Sequence, residues 1–413
     1  MKTFTLPGTD LVVPEVVLGL MRIADKTDDE IRTLVGTAAD AGIDFVDLAD
    51  VYGPALHECE ARYGGAMKLT SSAREKVTIQ TKAGIVREPL SFDFSYEHLL
   101  ESVDGSLKAL QTDYIDILLL HRPDALVEPE EVARAFDDLQ ASGKVRHFGV
   151  SNQKPSQMEL LRRHVTQPIV ANQVQLSVTH ANLFTQGTAI NMNGLDQSVD
   201  RDNGTVDYCR LHDIALQAWS PFQAGFFDGP FLGSDAYPEL NAVIDRLAGQ
   251  YGVPAEAVAT AWILRHPARW QVVLGTTTPE RVTAAAAGSD ITLTRYEGTS
   301  CPGGRRRRPR PARLEERTGR VARSSGSRGE IPKSPSRSSH PTAKDGGHAG
   351  DPAGRPTERS RRLRPRHGRG RPRGARRLVA RPERGPRLRT HRDSPRVVPT
   401  DRPRTGAADR RGV

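Results

Sequence analysis

Eight short runs of apolar, mostly β-branched residues recur between Val16 and Thr276, each separated from the next by a connecting stretch. They are VVLGL (16–20), FVDLA (45–49), VTIQTK (77–82), DILLLH (116–121), RHFGVS (146–151), ANQVQ (171–175), ALQAWS (215–220) and VVLGT (272–276). The runs are near-continuously apolar, the pattern of parallel strands covered on both faces by helices. The connecting stretches change period. TDDEIRTLVGTAADAG puts Ile31, Leu34, Val35 and Ala38 on one helical face, with Thr27 or Asp28 as N-cap and Gly42 just past the end. Leu100, Val103, Leu107 and Leu110 make a second stripe, and Val132, Phe136 and Leu139 a third. Eight strand-then-helix units in about 290 residues predict an α/β fold, a (β/α)8 TIM barrel. A doubly wound open sheet is the alternative, but the Gly-rich phosphate fingerprint after the first strand is missing.

Two segments stand outside the repeat. Residues 2–14 hold two short runs around PGT and predict a hairpin that plugs the N-terminal end of the barrel. Residues 176–204 form a long polar connection after the sixth strand, on the face where barrel loops shape sites.

Charge divides the chain more sharply than any motif. Residues 301–413 carry 34 of the 59 Lys and Arg but 10 of the 50 Asp and Glu, so the formal charge is −15 before residue 301 and +24 after it. That region has no Phe, Tyr, Trp, Met, Asn or Gln and is dominated by Arg, Pro, Gly, Ser and Ala. Such a composition cannot bury enough apolar area to offset chain entropy, so residues 298–413 are expected to be a disordered basic C-terminal extension. Three cysteines, Cys59, Cys209 and Cys301, have no CxxC spacing and suggest neither a disulfide framework nor a zinc site. No export signal and no run of membrane-spanning length is present, so a soluble cytoplasmic protein without membrane contact is expected.

Within FVDLADVYG a carboxylate, Asp47, interrupts an apolar strand, and Tyr52 follows at the next loop. Lys82 ends the third run and His121 the fourth. In a barrel, strand ends converge on one mouth, so these four polar groups can share a pocket. The motifs DLADVY, TKAG, LLLHRPD, GKVRHFGVSN, NQVQLS, AWSPF and GTTTPERV occur in the order seen in the aldo-keto reductase family, which residues 15–297 resemble. That resemblance implies a catalytic tetrad of Asp47, Tyr52, Lys82 and His121. A free tyrosine is a weak acid at neutral pH, so Lys82 is expected to lower the Tyr52 pKa, Asp47 to hold the lysine, and His121 to orient a carbonyl oxygen.

The resemblance further implies NADPH, with NADH as the alternative, and a small-molecule carbonyl substrate. Ser151, Asn152 and Gln173 would hold the nicotinamide carboxamide, and Trp219 would stack on its ring. The segment Ser220, Pro221, Phe222 through Gly225 would loop over the pyrophosphate. Gly275, Thr276, Thr277 and Arg281 would meet the adenosine 2′-phosphate, a guanidinium fork suiting a phosphate. Many members carry a lysine where Gly275 stands, and polar adenine contacts where Ala284 and Ala285 stand. No metal is implied.

The resemblance breaks at LTRYEGTSC, residues 293–301, where members of this branch commonly continue LTREEWYEL. Dropping one base from codons for Trp-Tyr-Glu-Leu yields Gly-Thr-Ser and then often Cys. The tail therefore reads as an ending translated out of frame in a GC-rich gene, as its 2 lysines against 32 arginines also suggest. Loss of the family's last helix is then expected to cost stability and activity. The rivals are a catalytically idle cofactor-binding protein and a tail that binds nucleic acid. No specific nucleic-acid recognition is expected without stacking aromatics, although so many cations would bind RNA without sequence preference.

Overall fold

The computed structural model describes residues 1–300 apart from 226 and 227. Eight parallel strands close into a barrel: β1 Val16–Gly19, β2 Phe45–Asp47, β3 Thr78–Ala83, β4 Ile115–Leu120, β5 Val145–Ser151, β6 Ile169–Gln175, β7 Ala215–Trp219 and β8 Trp270–Leu274. Each of the eight apolar runs lies on one of these strands. Closure is made by β8 on β1, with Val272 opposite Val16 and Leu274 opposite Leu18.

Helices cover the outside: α1 Asp28–Asp40, α2 Glu58–Met67, α3 Tyr96–Leu110, α4 Pro129–Ala141, α5 Pro155–Arg162, α6 Thr205–Leu211, α7 Pro238–Tyr251, α8 Ala255–Leu264 and α9 Pro279–Ala286. The first begins as its sequence predicts. Thr27 accepts from the Glu30 amide while Glu30 reaches back to the Thr27 amide, a reciprocal cap of two otherwise unpaired donors. Ile31, Leu34, Val35 and Ala38 are its buried face. The stripe expected on α3 is rotated: Leu99, Ser102, Val103, Ser106 and Leu110 are buried, whereas Leu100 and Leu107 are half-buried. Small residues face inward because α3 packs close on α2, where a Cβ on Gly105 would meet His57 Nε2 at 2.2 Å.

The interior is filled in two layers. At the bottom, Leu6 and Val13 of the N-terminal hairpin pack with Val17, Phe45, Ile117, Val170 and Ala215, residues at or near the starts of their strands. The hairpin is the plug that its sequence predicts. Above it lies a layer of glutamines. Gln271 Nε2 donates to Pro14 O at 2.7 Å, Gln217 Nε2 to Gln271 Oε1 at 2.9 Å, and Gln80 Nε2 to Gln217 Oε1 at 2.9 Å. This ladder satisfies polar groups that would be costly to bury alone.

A short helix, α10 Arg295–Ser300, ends the described chain and is tied down by Trp262 Nε1 donating to Gly298 O at 2.9 Å. The expected disorder, altered frame and nucleic-acid contacts of the basic tail concern residues outside those described, apart from 298–300. No helix among the described residues is long and apolar enough to cross a membrane.

Candidate active site

The chain beyond β2 stays zipped to β3, with Leu48 N bonded to Gln80 O at 2.9 Å and Asp50 N to Lys82 O at 3.1 Å. It then turns, Tyr52 N reaching Ala49 O at 3.1 Å, and Gly53 follows at φ 98°, where a Cβ would also press on Glu58. This path brings Tyr52 back over the lysine of the neighbouring strand. Lys82 Nζ donates to Asp47 Oδ2 at 2.7 Å, to Leu48 O at 2.7 Å and to the Tyr52 hydroxyl at 3.2 Å. His121, at the end of β4, meets Tyr52 edge-on with ring centroids 5.6 Å apart. The four predicted tetrad residues therefore come together from β2, β3 and β4.

Lys82 and Asp47 are buried. Desolvation acts to lower the Lys82 pKa, but Asp47 and Tyr52 outweigh it and leave the ammonium above its ordinary value. Asp47 Oδ1 accepts from both Gln80 Nε2 at 2.5 Å and Gln173 Nε2 at 2.9 Å, so each carboxylate oxygen is satisfied. The expected lowering of the Tyr52 pKa needs correction. Burial is the largest influence and raises it; the pull of Lys82 downward is smaller, and the phenol ends above its ordinary value. Burial, reinforced by the Lys82 and Arg122 cations, holds His121 well below the usual histidine range. His121 is therefore neutral near pH 7, and its buried Nδ1 has no hydrogen-bond partner among the described residues.

Asp47, Tyr52 and His121 stand in the wall of a cavity of about 580 Å³ at the C-terminal ends of the strands, with Lys82 bonded behind Asp47 and Tyr52 rather than in the lining itself. Asp47, Tyr52, His121, Ser151, Asn152, Gln173 and Trp219 line it, as do Ser220, Pro221 and Phe222 and the segment Gly275, Thr276, Thr277 and Arg281. Asn152, at φ 59°, accepts from Trp219 Nε1 at 3.0 Å and donates to Ser151 Oγ at 2.8 Å, which locks the indole and the amide to each other. Gln173 spends both amide hydrogens on Asp47 and Gln217, leaving its oxygen for a ligand.

Two groups expected near the cofactor stand outside the cavity lining. Gly225 is not among the cavity-lining residues; beside it Ala224 N bonds to Gly229 O at 2.8 Å and Phe231 N to Phe222 O at 3.1 Å. A Cβ on Gly225 would meet Asp228 Oδ2 at 2.5 Å. Ala285 is fully buried in the core under α9, and Ala284 is also absent from the lining, so neither replaces a cavity contact.

Several residues were not singled out from the sequence. Arg22 lines the cavity and donates to Gly275 O at 3.2 Å, joining the Arg281 wall. Glu256 of α8 lines the cavity with Arg281. Arg122 lines it as well, next to His121 in the LLLHRPD motif. Behind the tetrad, outside the barrel, Asp50, Glu60 and His57 form a second buried charged group; His57 Nδ1 lies 2.6 Å from Glu60 Oε2.

Hydroxyls, backbone amides and two guanidinium groups on one wall are a donor set that suits a phosphorylated cofactor. Among the described residues nothing within 4 Å would oppose a Cβ at Gly275, so that wall is open to a bulky ligand.

The aldo/keto reductase family model matches residues 15–301. The 6-dehydroglucose reductase of Agrobacterium fabrum is 35% identical over 296 residues, covering 69% of this chain and 92% of that protein. Bacillus subtilis has an uncharacterized oxidoreductase, YcsN, 35% identical over 289 residues, covering 67% of this chain and 89% of that protein. The crystal structure of an aldo-keto reductase from Klebsiella pneumoniae in complex with NADPH has the same fold, at TM-score 0.55 and 24% identity, over 74% of this chain and 98% of that one. With this match across the whole barrel, the chain belongs to the aldo/keto reductase family of oxidoreductases.

Proposed function

We propose that this chain reduces an aldehyde or ketone to the alcohol with NADPH, and that Tyr52 is the general acid. The observation that carries the reading is Lys82 Nζ held between Asp47 Oδ2 at 2.7 Å and the Tyr52 hydroxyl at 3.2 Å, at the wall of the cavity. NADPH, when bound, supplies the hydride that no side chain can. The protein's part is to hold the carbonyl and deliver one proton. Neutral His121 donates a hydrogen bond to the carbonyl oxygen and fixes its direction. Tyr52 gives its proton to that same oxygen as negative charge develops there. Lys82 lies against the phenolate left behind and stabilises it, and Asp47 keeps Lys82 charged and aimed. The pKa of Tyr52 above its ordinary value keeps the proton on the phenol until the carbonyl oxygen calls for it.

For the cofactor, Ser151, Asn152 and Gln173 would hold the carboxamide and Trp219 would face the nicotinamide ring. Ser220, Pro221 and Phe222 would border the pyrophosphate. Gly275, Thr276, Thr277, Arg22 and Arg281 would take the phosphate-bearing adenosine end. Glu256 on the same side favours a ribose hydroxyl over a phosphate, so the preference for NADPH over NADH rests on the arginines.

We further propose that residues 1–297 are the catalytic unit and that the frame changes near codon 298. Resequencing that finds no nearby frame restoring an aromatic-containing helix contradicts this. The activity itself is tested by adding NADPH or NADH and a panel of aldehydes and ketones to the full chain and following loss of the reduced nicotinamide absorbance. A dehydrogenated sugar belongs in the panel because relatives are named 6-dehydroglucose reductase. Turnover with NADPH is expected. Tight cofactor binding with no turnover of any carbonyl would favour an idle binder.

A further inference from the structure

Arg122 is a half-buried cation on the cavity wall with no ion-pair partner among the described residues. Its guanidinium carbon lies 5.6 Å from the centroid of the Trp219 ring, a distance at the outer limit of a cation–π contact. Among the described residues it makes no hydrogen bond or ion pair. The closest carboxylate in sequence, Asp124, is occupied, accepting from Phe94 N at 3.1 Å and Leu126 N at 2.7 Å. The tetrad does not neutralise it either. Asp47 balances Lys82, while His121 and Tyr52 are uncharged near neutrality, so the reacting end of the cavity carries one net positive charge. That charge is felt there: Arg122 helps push the His121 pKa down, after burial and Lys82.

Arg122 is not placed to serve the cofactor's phosphates. It follows β4, whereas Gly275 and Thr276 follow β8, and these strands stand four places apart in a closed ring of eight, on opposite sides of the mouth. Arg22 and Arg281 already serve the β8 side. An unpaired guanidinium is a rigid fork of donors that matches a carboxylate bidentately, and leaving it unmatched while half-buried is unfavourable. Met21, Val51, Ile85 and Leu232 supply apolar cavity wall to cover a short carbon chain.

We propose that Arg122 is a specificity-determining residue for an oxo-acid, a carbonyl compound whose carboxylate it binds while His121 and Tyr52 hold the carbonyl oxygen. This rests on the reductase reading above and names its substrate class. The acid is bound, not consumed; the atoms that change remain the carbonyl carbon, which gains hydride, and its oxygen, which gains the Tyr52 proton.

The test compares kcat/KM for three aldehydes on the full chain with NADPH: succinic semialdehyde, its uncharged methyl ester, and D-glyceraldehyde as a neutral polyol. A charge-assisted hydrogen bond of ordinary strength predicts that the acid exceeds the ester by about ten- to a hundredfold. Arg122→Met should remove that ratio, chiefly through KM, and Arg122→Lys should restore part of it. Unchanged NADPH affinity, read by quenching of tryptophan fluorescence, and an unchanged melting temperature separate this from a structural role. An acid no better than the ester, a preference for glyceraldehyde, or an Arg122→Met loss equal for acid and ester overturns the assignment and leaves the reductase reading standing. No turnover of any aldehyde overturns both.

Discussion

One short stretch, Asp47 to Tyr52, supplies two buried charged clusters on opposite faces of the same sheet, and they are balanced differently. Inside the barrel, Asp47 has a cation of its own in Lys82, and two glutamine amides satisfy its other oxygen. Outside it, Asp50 and Glu60 share a single imidazole. Glu60 is well supplied, by His57 Nδ1 and the Thr81 hydroxyl. For Asp50, burial, with Glu60 adding to it and His57, the Val51 amide and the Ser102 hydroxyl opposing, pushes the carboxyl up to about 7. Thr81 and Lys82 point to opposite faces because successive strand residues alternate, so a single residue step separates the Lys82–Asp47 ion pair from a cluster whose Asp50 titrates near neutrality. The difference teaches that the same stretch can pair one buried carboxylate with its own ammonium and leave another to share an imidazole, where burial raises its pKa.

Breaking the inner pair should have the largest effect. Lys82→Met leaves Asp47 charged and uncompensated in the barrel, which costs about 3–5 kcal/mol of stability in denaturant melts and lowers kcat by about 10²–10⁴-fold. Survival of normal kcat in this variant would mean that the inner cluster is only structural.

The outer cluster predicts a pH effect of definite sign. Asp50 has a folded pKa above its unfolded value of 3.8, so the stability it contributes is complete below pH 4 and is lost as pH rises through about 7. His57 acts in the same direction. Burial lowers its pKa, but Glu60 and Asp50 outweigh burial and leave it above 6.5, so its contribution also fades as pH rises. The melting temperature of the wild type should therefore fall between pH 5 and pH 8 more than that of Asp50→Asn. Parallel curves would place Asp50 in contact with solvent.

Across the mouth, Arg281→Met should reduce the NADPH-to-NADH ratio of kcat/KM, and Glu256→Gln should raise it, each by about tenfold or less. Ratios moving in the same direction would remove Glu256 from the cofactor wall. The smallest effect expected is none. Because His121 is neutral and Tyr52 titrates above its ordinary value, the kcat of reduction should show no inflection between pH 6 and pH 9. A step near pH 6.5 would give His121 a charge it should not carry.

The barrel was legible because its signal is repetitive. Eight apolar runs and a capping box at Thr27 are local patterns, and the hairpin plug follows from a turn between two short strands. The tetrad was legible through strand ends and family motifs together. What escaped depends on side-chain direction. The inward turn of Ser102 and Ser106 on α3 is set by the closeness of α2, which no periodicity reveals. Asp50 and Glu60 look like surface acids in a loop and a helix start, and only the fold buries them. The raised Tyr52 pKa escaped because the pull of Lys82 can be guessed from types, whereas the opposing burial is a property of the closed wall. Arg122 was hidden beside a residue with a better-known chemistry, and its want of a counter-ion exists only in three dimensions.

The central claim is that Tyr52, tuned by Lys82, delivers the proton. It is tested most directly by mixing the full-length wild type and Tyr52→Phe, each preloaded with NADPH, with a reducible aldehyde at pH 7 and following a single turnover. The account predicts cofactor binding within about twofold of wild type and hydride transfer slower by about 10²–10⁴-fold. Hydride transfer at the wild-type rate in Tyr52→Phe would contradict it.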